Sequence, residues 1–181
     1  MTDTADLSRP ASGDVLDLIL DDHRRFEALL RELRDSSTDR DTVRRTLAAL
    51  HVAHAEAEEK HVYPSLRRSD AIDEHEADHG EEEHAEGNQA LLAVLECDSV
   101  EGEDFDELVE ALAGKLYHHL TEEELTILNP ARDDVAATAR RELGKKFATE
   151  RNQQLDADCG RVENVRSLVA RAGKKGLVDE E

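Results

Sequence analysis

Two stretches of this chain repeat one arrangement of potential ligands. In His54-Ala55-Glu56-Ala57-Glu58, and again in His119-Leu120-Thr121-Glu122-Glu123, an imidazole stands four residues before a carboxylate. Residues four apart share a helix face, so each pair aims one nitrogen and one oxygen at a common place. Both copies run on to a proline, Pro64 after the first and Pro130 after the second. Two such pairs on facing helices would make a site for two metal ions.

The repeat extends backwards. His23 is followed by Leu29-Leu30 and His84 by Leu91-Leu92, so each half reads as a helix with one histidine and then a helix with His-x-x-x-Glu. Nine histidines are present, and helical phase selects among them. At about 100° per residue, His84 shares the direction of Leu91 and Leu95, whereas His79 lies about 120° from Leu91. His119 shares a face with Leu112 and Leu116, while His118 falls with Ala111 and Lys115. The expected ligands are therefore His23, His54, Glu58, His84, His119 and Glu123. His23 and His54 would serve one ion, His84 and His119 the other, with Glu58 and Glu123 as bridges. His79 is a further candidate if Gly80 allows a local irregularity, since π-bulges occur at functional sites. His51, His61 and His118 are expected in the surroundings of the site or at the surface.

Four imidazoles and two carboxylates facing the inside of a bundle need a cation, because an unpaired buried charge costs many kcal/mol. Mixed nitrogen and oxygen ligation with open positions suits iron or manganese, and zinc is also compatible. The plain alternative is a metal-free bundle with hydrogen-bonded core histidines. Six residues in phase, in repeated order on four helices, favour the metal. A ferritin-like site needs Glu-x-x-His on two helices. Glu58-x-x-His61 and Glu81-x-x-His84 have that spacing, but the last helix of the four has no such element.

Helices must position these residues. The abundance of Ala, Leu, Glu and Arg favours helix, and no stretch reads as a strand. Apolar periodicity predicts helices over Asp14–Arg34, Asp41–Val62, Ala71–Glu96 and Phe105–Leu128. Tyr63-Pro64 and Asn129-Pro130 are expected to end the second and fourth, because the residue before proline leaves the helical region. The fold expected is all-α, an up-down four-helix bundle over residues 14–132. A disordered leader (1–13) precedes it. A C-terminal helical extension (133–181) follows, with Leu143 and Phe147 as its few anchors.

Composition narrows the function. Forty-four acidic against 23 basic residues give a formal charge of −21. That excludes a cationic footprint for nucleic acid and attraction to anionic membranes. No apolar run approaches spanning length, the first 13 residues lack the apolar centre of a signal peptide, and two isolated cysteines form no disulfide framework. A reducing cytoplasm is the expected compartment.

Asp22-His23, His54-x-x-x-Glu58, Glu83-His84 and His119-x-x-x-Glu123, with the Tyr-Pro and Asn-Pro dipeptides, resemble the hemerythrin-like, or HHE cation-binding, domain over roughly Val15 to Arg132. The resemblance implies an up-down four-helix bundle around a non-haem di-iron centre, bridged by carboxylates and an oxo or hydroxo group. It implies binding of dioxygen, sensing of oxygen or iron, or action on peroxide or nitric oxide. The invertebrate oxygen carriers of that family place two histidines four apart on the third helix and an Asp five residues after the last histidine. Here only His75 and His79 have the first spacing, out of phase with the core, and Glu123 follows His119 at four. Both departures point away from reversible oxygen carriage. The leading expectation is binding or turnover of a small oxidant. The alternative is an iron- or oxygen-sensing interaction module whose metal controls folding and partner contact.

Overall fold

In a computed structural model of the chain, residues 7–178 are described. They form helices and loops, with no strand among the described residues. Helix α1 spans Val15–Arg34 and α2 spans Arg40–Ala57; α2 continues through a π-helical turn, Glu58–Val62, into α3, Tyr63–Arg68. Helix α4 is Glu74–Glu96. Helix α5, Glu103–Glu123, continues through a second π-helical turn, Glu124–Leu128, into α6, Asn129–Asp134. The extension supplies α7, Ala137–Asp156, and α8, Val162–Lys175.

The prolines do not end their helices, contrary to expectation. Inside a regular α-helix a proline ring meets the carbonyl four residues earlier and lacks the N–H that would bond it. Here the turn before each proline widens, so that Tyr63 N–H bonds Glu58 O and Asn129 N–H bonds Glu124 O. Pro64 and Pro130 then sit in the first turn of α3 and α6, where proline is tolerated. The same widening carries Tyr63 onto the face of Glu58.

Helix starts follow local chemistry. Asp14 caps α1 by accepting from Leu16 N–H. Asp73 and Glu76 form a reciprocal capping box at α4, which moves its start three residues past the predicted Ala71.

Two apolar clusters enclose a polar layer. Along α1 the chain passes from Val15, Leu16 and Ile19 in one cluster, through Asp22 and His23, to Phe26, Leu29, Leu30 and Leu33 in the other. Helix α2 runs the opposite way, from Leu47 and Leu50 through His54 and Glu58 to Val62 and Tyr63. Helix α4 repeats the direction of α1, and α5 that of α2. Contacts join α1 to α2, α2 to α4, α4 to α5 and α5 back to α1, which makes an up-down bundle.

The extension is built into this bundle. Helix α7 lies against α1 and α2, and α8 against α4. Leu143 and Phe147 belong to one apolar cluster, Leu155, Cys159 and Val165 to the other. Two glycines permit close approach: a Cβ at Gly144 would lie 2.1 Å from Gly13 O, and one at Gly160 would lie 2.3 Å from the Ala49 backbone nitrogen. Of the leader expected to be disordered, residues 1–6 lie outside the described residues. Residues 7–13 are held by α7: Leu7 is buried, Arg151 donates to Ser8 O at 3.0 Å and Asn152 to Pro10 O at 2.9 Å. Their free carbonyls take donors that α7 presents, which patterning alone does not reveal. No helix among the described residues is long and apolar enough to cross a membrane.

Candidate metal centre

The six predicted ligands come together in the polar layer. Their exposures are 2% for His23, 1% for His54, 0% for Glu58, 1% for His84, 2% for His119 and 2% for Glu123. His54, Glu58, His119 and Glu123 offer four donor atoms within 4.8 Å of one another. The imidazoles form a ring: centroids are 5.4 Å apart for His23 and His54, 6.4 Å for His54 and His84, 4.6 Å for His84 and His119, and 6.5 Å for His119 and His23.

Each carboxylate spans the two halves of the repeat. Glu58 Oε2 lies 3.1 Å from His54 Nε2 and 3.2 Å from His84 Nε2. Glu123 Oε2 lies 3.1 Å from His23 Nε2 and 3.7 Å from His119 Nε2. Despite these distances, Nε2 of His54, His84 and His119 and Oε1 of Glu58 are buried with no aligned hydrogen bond. Buried polar atoms are nearly always paired. His23 Nε2 does bond Glu123 Oε2 at 3.1 Å; the other converging donors, buried and without aligned partners, fit a metal ion at their common point.

The opposite ring nitrogens are all engaged. Nδ1 of His23 faces Glu124 Oε1 at 2.8 Å, and Nδ1 of His54 faces Asp22 Oδ2 at 3.2 Å. Nδ1 of His84 faces Glu59 Oε1 at 2.9 Å, and Nδ1 of His119 faces Glu83 Oε2 at 3.0 Å. With Nδ1–H donating outward, the Nε2 lone pair is left pointing inward, as in metal-ligating histidines. The acids follow the repeat. Asp22 and Glu83 each precede a histidine and serve the later histidine of their own half. Glu59 and Glu124 follow Glu58 and Glu123 and serve the first histidine of the other half. The doubled acidic neighbours in Asp22-His23, Glu83-His84, Glu58-Glu59 and Glu123-Glu124 were the signal that could have found them.

The electrostatics show what a cation must displace. Burial pushes His54 down, but the Glu58 charge and the Asp22 hydrogen bond hold it up to about 10. His84 is likewise pushed down by burial and raised to about 10 through Glu58 and Glu59. Without an ion, these imidazoles take protons to balance the carboxylates. Burial pushes Glu58 up, and the neighbouring His54 and His84 outweigh it and hold the carboxyl well below its usual range.

Three residues join the site that patterning did not mark. Tyr63 donates to Glu123 Oε1 at 3.0 Å, reaches Glu58 Oε2 at 3.4 Å and stacks on His84 at 5.9 Å. Burial and the two glutamates push its phenol well up, so it remains a donor. Phe147 of α7 packs edge-on to His54 at 5.8 Å. Arg151 of α7, itself buried, donates from Nε and Nη2 to the two oxygens of Asp22, both at 2.7 Å.

His79 does not enter the central set: its side chain is 45% exposed and faces Glu83 and Glu82. Gly80 makes no irregularity in α4; it leaves room for the Tyr63 ring, whose atoms a Cβ would meet at 2.9 Å. His51, expected in the surroundings of the site or at the surface, is in its surroundings: it is buried between Phe26 and His84 one turn from His54, and Gly87 leaves space for its ring. His61 and His118 are partly exposed as expected.

No curated protein and no solved structure matches the chain. The model of the family described as "Hemerythrin HHE cation binding domain" matches residues 14–130, which cover α1 to the first turn of α6 and contain all six inward donors. Two-fold repeated ligands, a polar layer closed between apolar clusters and this match have one reading: the chain belongs to the hemerythrin HHE cation-binding family.

Proposed function

We propose that this chain holds a non-haem di-iron centre and that the centre binds or turns over a small oxidant: dioxygen, peroxide or nitric oxide. His23 and His54 would hold one ion, and His84 and His119 the other. The observation that carries the reading is the placement of the two glutamates. Glu58 stands between His54 and His84, and Glu123 between His23 and His119, so each carboxylate reaches one histidine of each proposed ion. Two iron ions there would supply redox equivalents and open coordination positions that side chains lack.

The surrounding residues define what the site admits. Asp22, Glu59, Glu83 and Glu124 fix the four rings by their Nδ1 bonds. Tyr63 holds the carboxylate of Glu123 and keeps its own proton at Oη. Apolar clusters on both sides exclude water, and the near-zero exposure of the six donors restricts entry to small molecules. Manganese or zinc would suit the same donors; the oxidant chemistry requires a redox-active ion.

Metal analysis of protein produced in iron-rich medium is expected to find about two irons per chain, with near-ultraviolet absorption that changes on adding peroxide or nitric oxide. Inability to take up ferrous iron would refute the di-iron centre. A loaded centre indifferent to all three oxidants would refute the oxidant reading alone. A sensing module is the second reading, favoured by one observation: Arg151 connects α7 to His54 through Asp22. Metal-dependent protection of α7 and α8 from protease is its test.

A further inference from the structure

The two halves of the repeat differ in how the acid behind the later histidine is balanced. In the first half Asp22, which bonds His54, has both oxygens bonded to the Arg151 guanidinium. In the second half Glu83 plays the same part for His119 through Oε2. Its other oxygen, Oε1, is buried and without a hydrogen bond, and Glu83 as a side chain is 7% exposed. Among the described residues, no guanidinium reaches it. Instead His79, four residues earlier on α4, brings Nε2 to 3.4 Å, and His118 of α5 brings Nε2 to 3.3 Å.

We propose that His79, Glu83 and His118 form a second, peripheral site for a divalent transition ion of the zinc class, separate from the central pair of ions. The three donor atoms lie within 4.8 Å of one another. A tetrahedral ion with ligands at about 2.1 Å sets neighbouring donors about 3.4 Å apart, which the two Glu83 distances match. Two imidazoles and one carboxylate are a familiar three-ligand set that leaves a fourth position to water. The ion would face solvent, since His79 and His118 are 45% and 59% exposed, while its carboxylate is shared with His119 inside. It would occupy the charge position that Arg151 fills in the first half. The exposed nitrogens alone would be ordinary surface histidines; the buried, unbonded Oε1 aimed between them distinguishes this cluster.

The test is a titration of iron-loaded protein with Co2+, read by its ligand-field absorption, with Zn2+ as competitor. One further equivalent is expected to bind and to be displaced by Zn2+. His79→Gln and His118→Gln should each weaken that step by more than the about 10- to 100-fold that loss of an outer-sphere partner costs. Both positions are exposed and outside the central donors, so the iron content should not change. Superimposable Co2+ curves for the native chain and His118→Gln would overturn the proposal. Iron analysis of the same samples reads the central site, so failure at either site is read separately.

Discussion

Replacing Arg151 by Met should injure both the fold and the metal centre, although Arg151 lies outside the residues that define the family. Its guanidinium is 2% exposed and makes two 2.7 Å bonds to Asp22, a carboxylate 5% exposed. Burial pushes Asp22 up; the His54 hydrogen bond and the Arg151 charge outweigh that and hold it below its usual value. Removing one partner of such a buried pair costs about 3–5 kcal/mol. For a chain of this size, about 2–4 °C per kcal/mol translates that into a fall in Tm of about 6–20 °C. Asp22 then loses its anchor and His54 its orientation, which should weaken metal binding by about 10- to 100-fold. Thermal unfolding and ferrous-iron titration of the native chain, Arg151→Met and Asp22→Asn/Arg151→Met measure both effects. The double variant strands no charge, so it should regain part of the stability but not the metal affinity. An Arg151→Met chain within about 1 kcal/mol of the native, with unchanged iron affinity, would show that α7 is only packing.

Two further outcomes are expected. Gly80→Ala should destabilise the protein, because the Tyr63 ring against it is pinned by Glu123 and His84 and overpacking costs about 1–3 kcal/mol. Gly114→Ala, with open space at the same kind of helical position, should instead stabilise by up to about 1 kcal/mol; urea denaturation that shows a gain in both would refute the close contact. The metal-free protein should lose stability as pH rises from about 6.5 to about 10. His54 and His84 have folded values of about 10, above the unfolded one, so their contribution is complete below the unfolded value and disappears as they deprotonate. Burial pushes His23 down, but its bonds to Glu123 and Glu124 raise it, so it adds to the same loss; His119 and His51, pushed down chiefly by burial, act below 6.5. Unfolding free energies that stay level or rise across the window would contradict the proposed charge balance.

The ligand-bearing helices and the direction of their donors were legible in the chain because helical phase is local. Leu112 and Leu116 point where His119 points, and Leu91 where His84 points, whatever else the protein does. The repeat of His-x-x-x-Glu supplied the pairing of halves for the same reason. What phase could not decide depends on groups distant in sequence. Pro64 reads locally as a helix end; only with Tyr63 buried against Gly80 and bonded to Glu123 does the widened turn carry the helix onward. Arg151 reads as one more arginine on a polar helix with sparse anchors. Its place in the site depends on α7 docking on α1 and α2, which sets it 129 residues from Asp22 in sequence and 2.7 Å in space. His79 and His118 likewise lie out of phase with the core, and only the packing of α4 on α5 brings both to the unbonded oxygen of Glu83. Periodicity determined which side chains face inward; tertiary docking decided which charges meet, because a charge's partner is set by distance and burial rather than by its position along a helix.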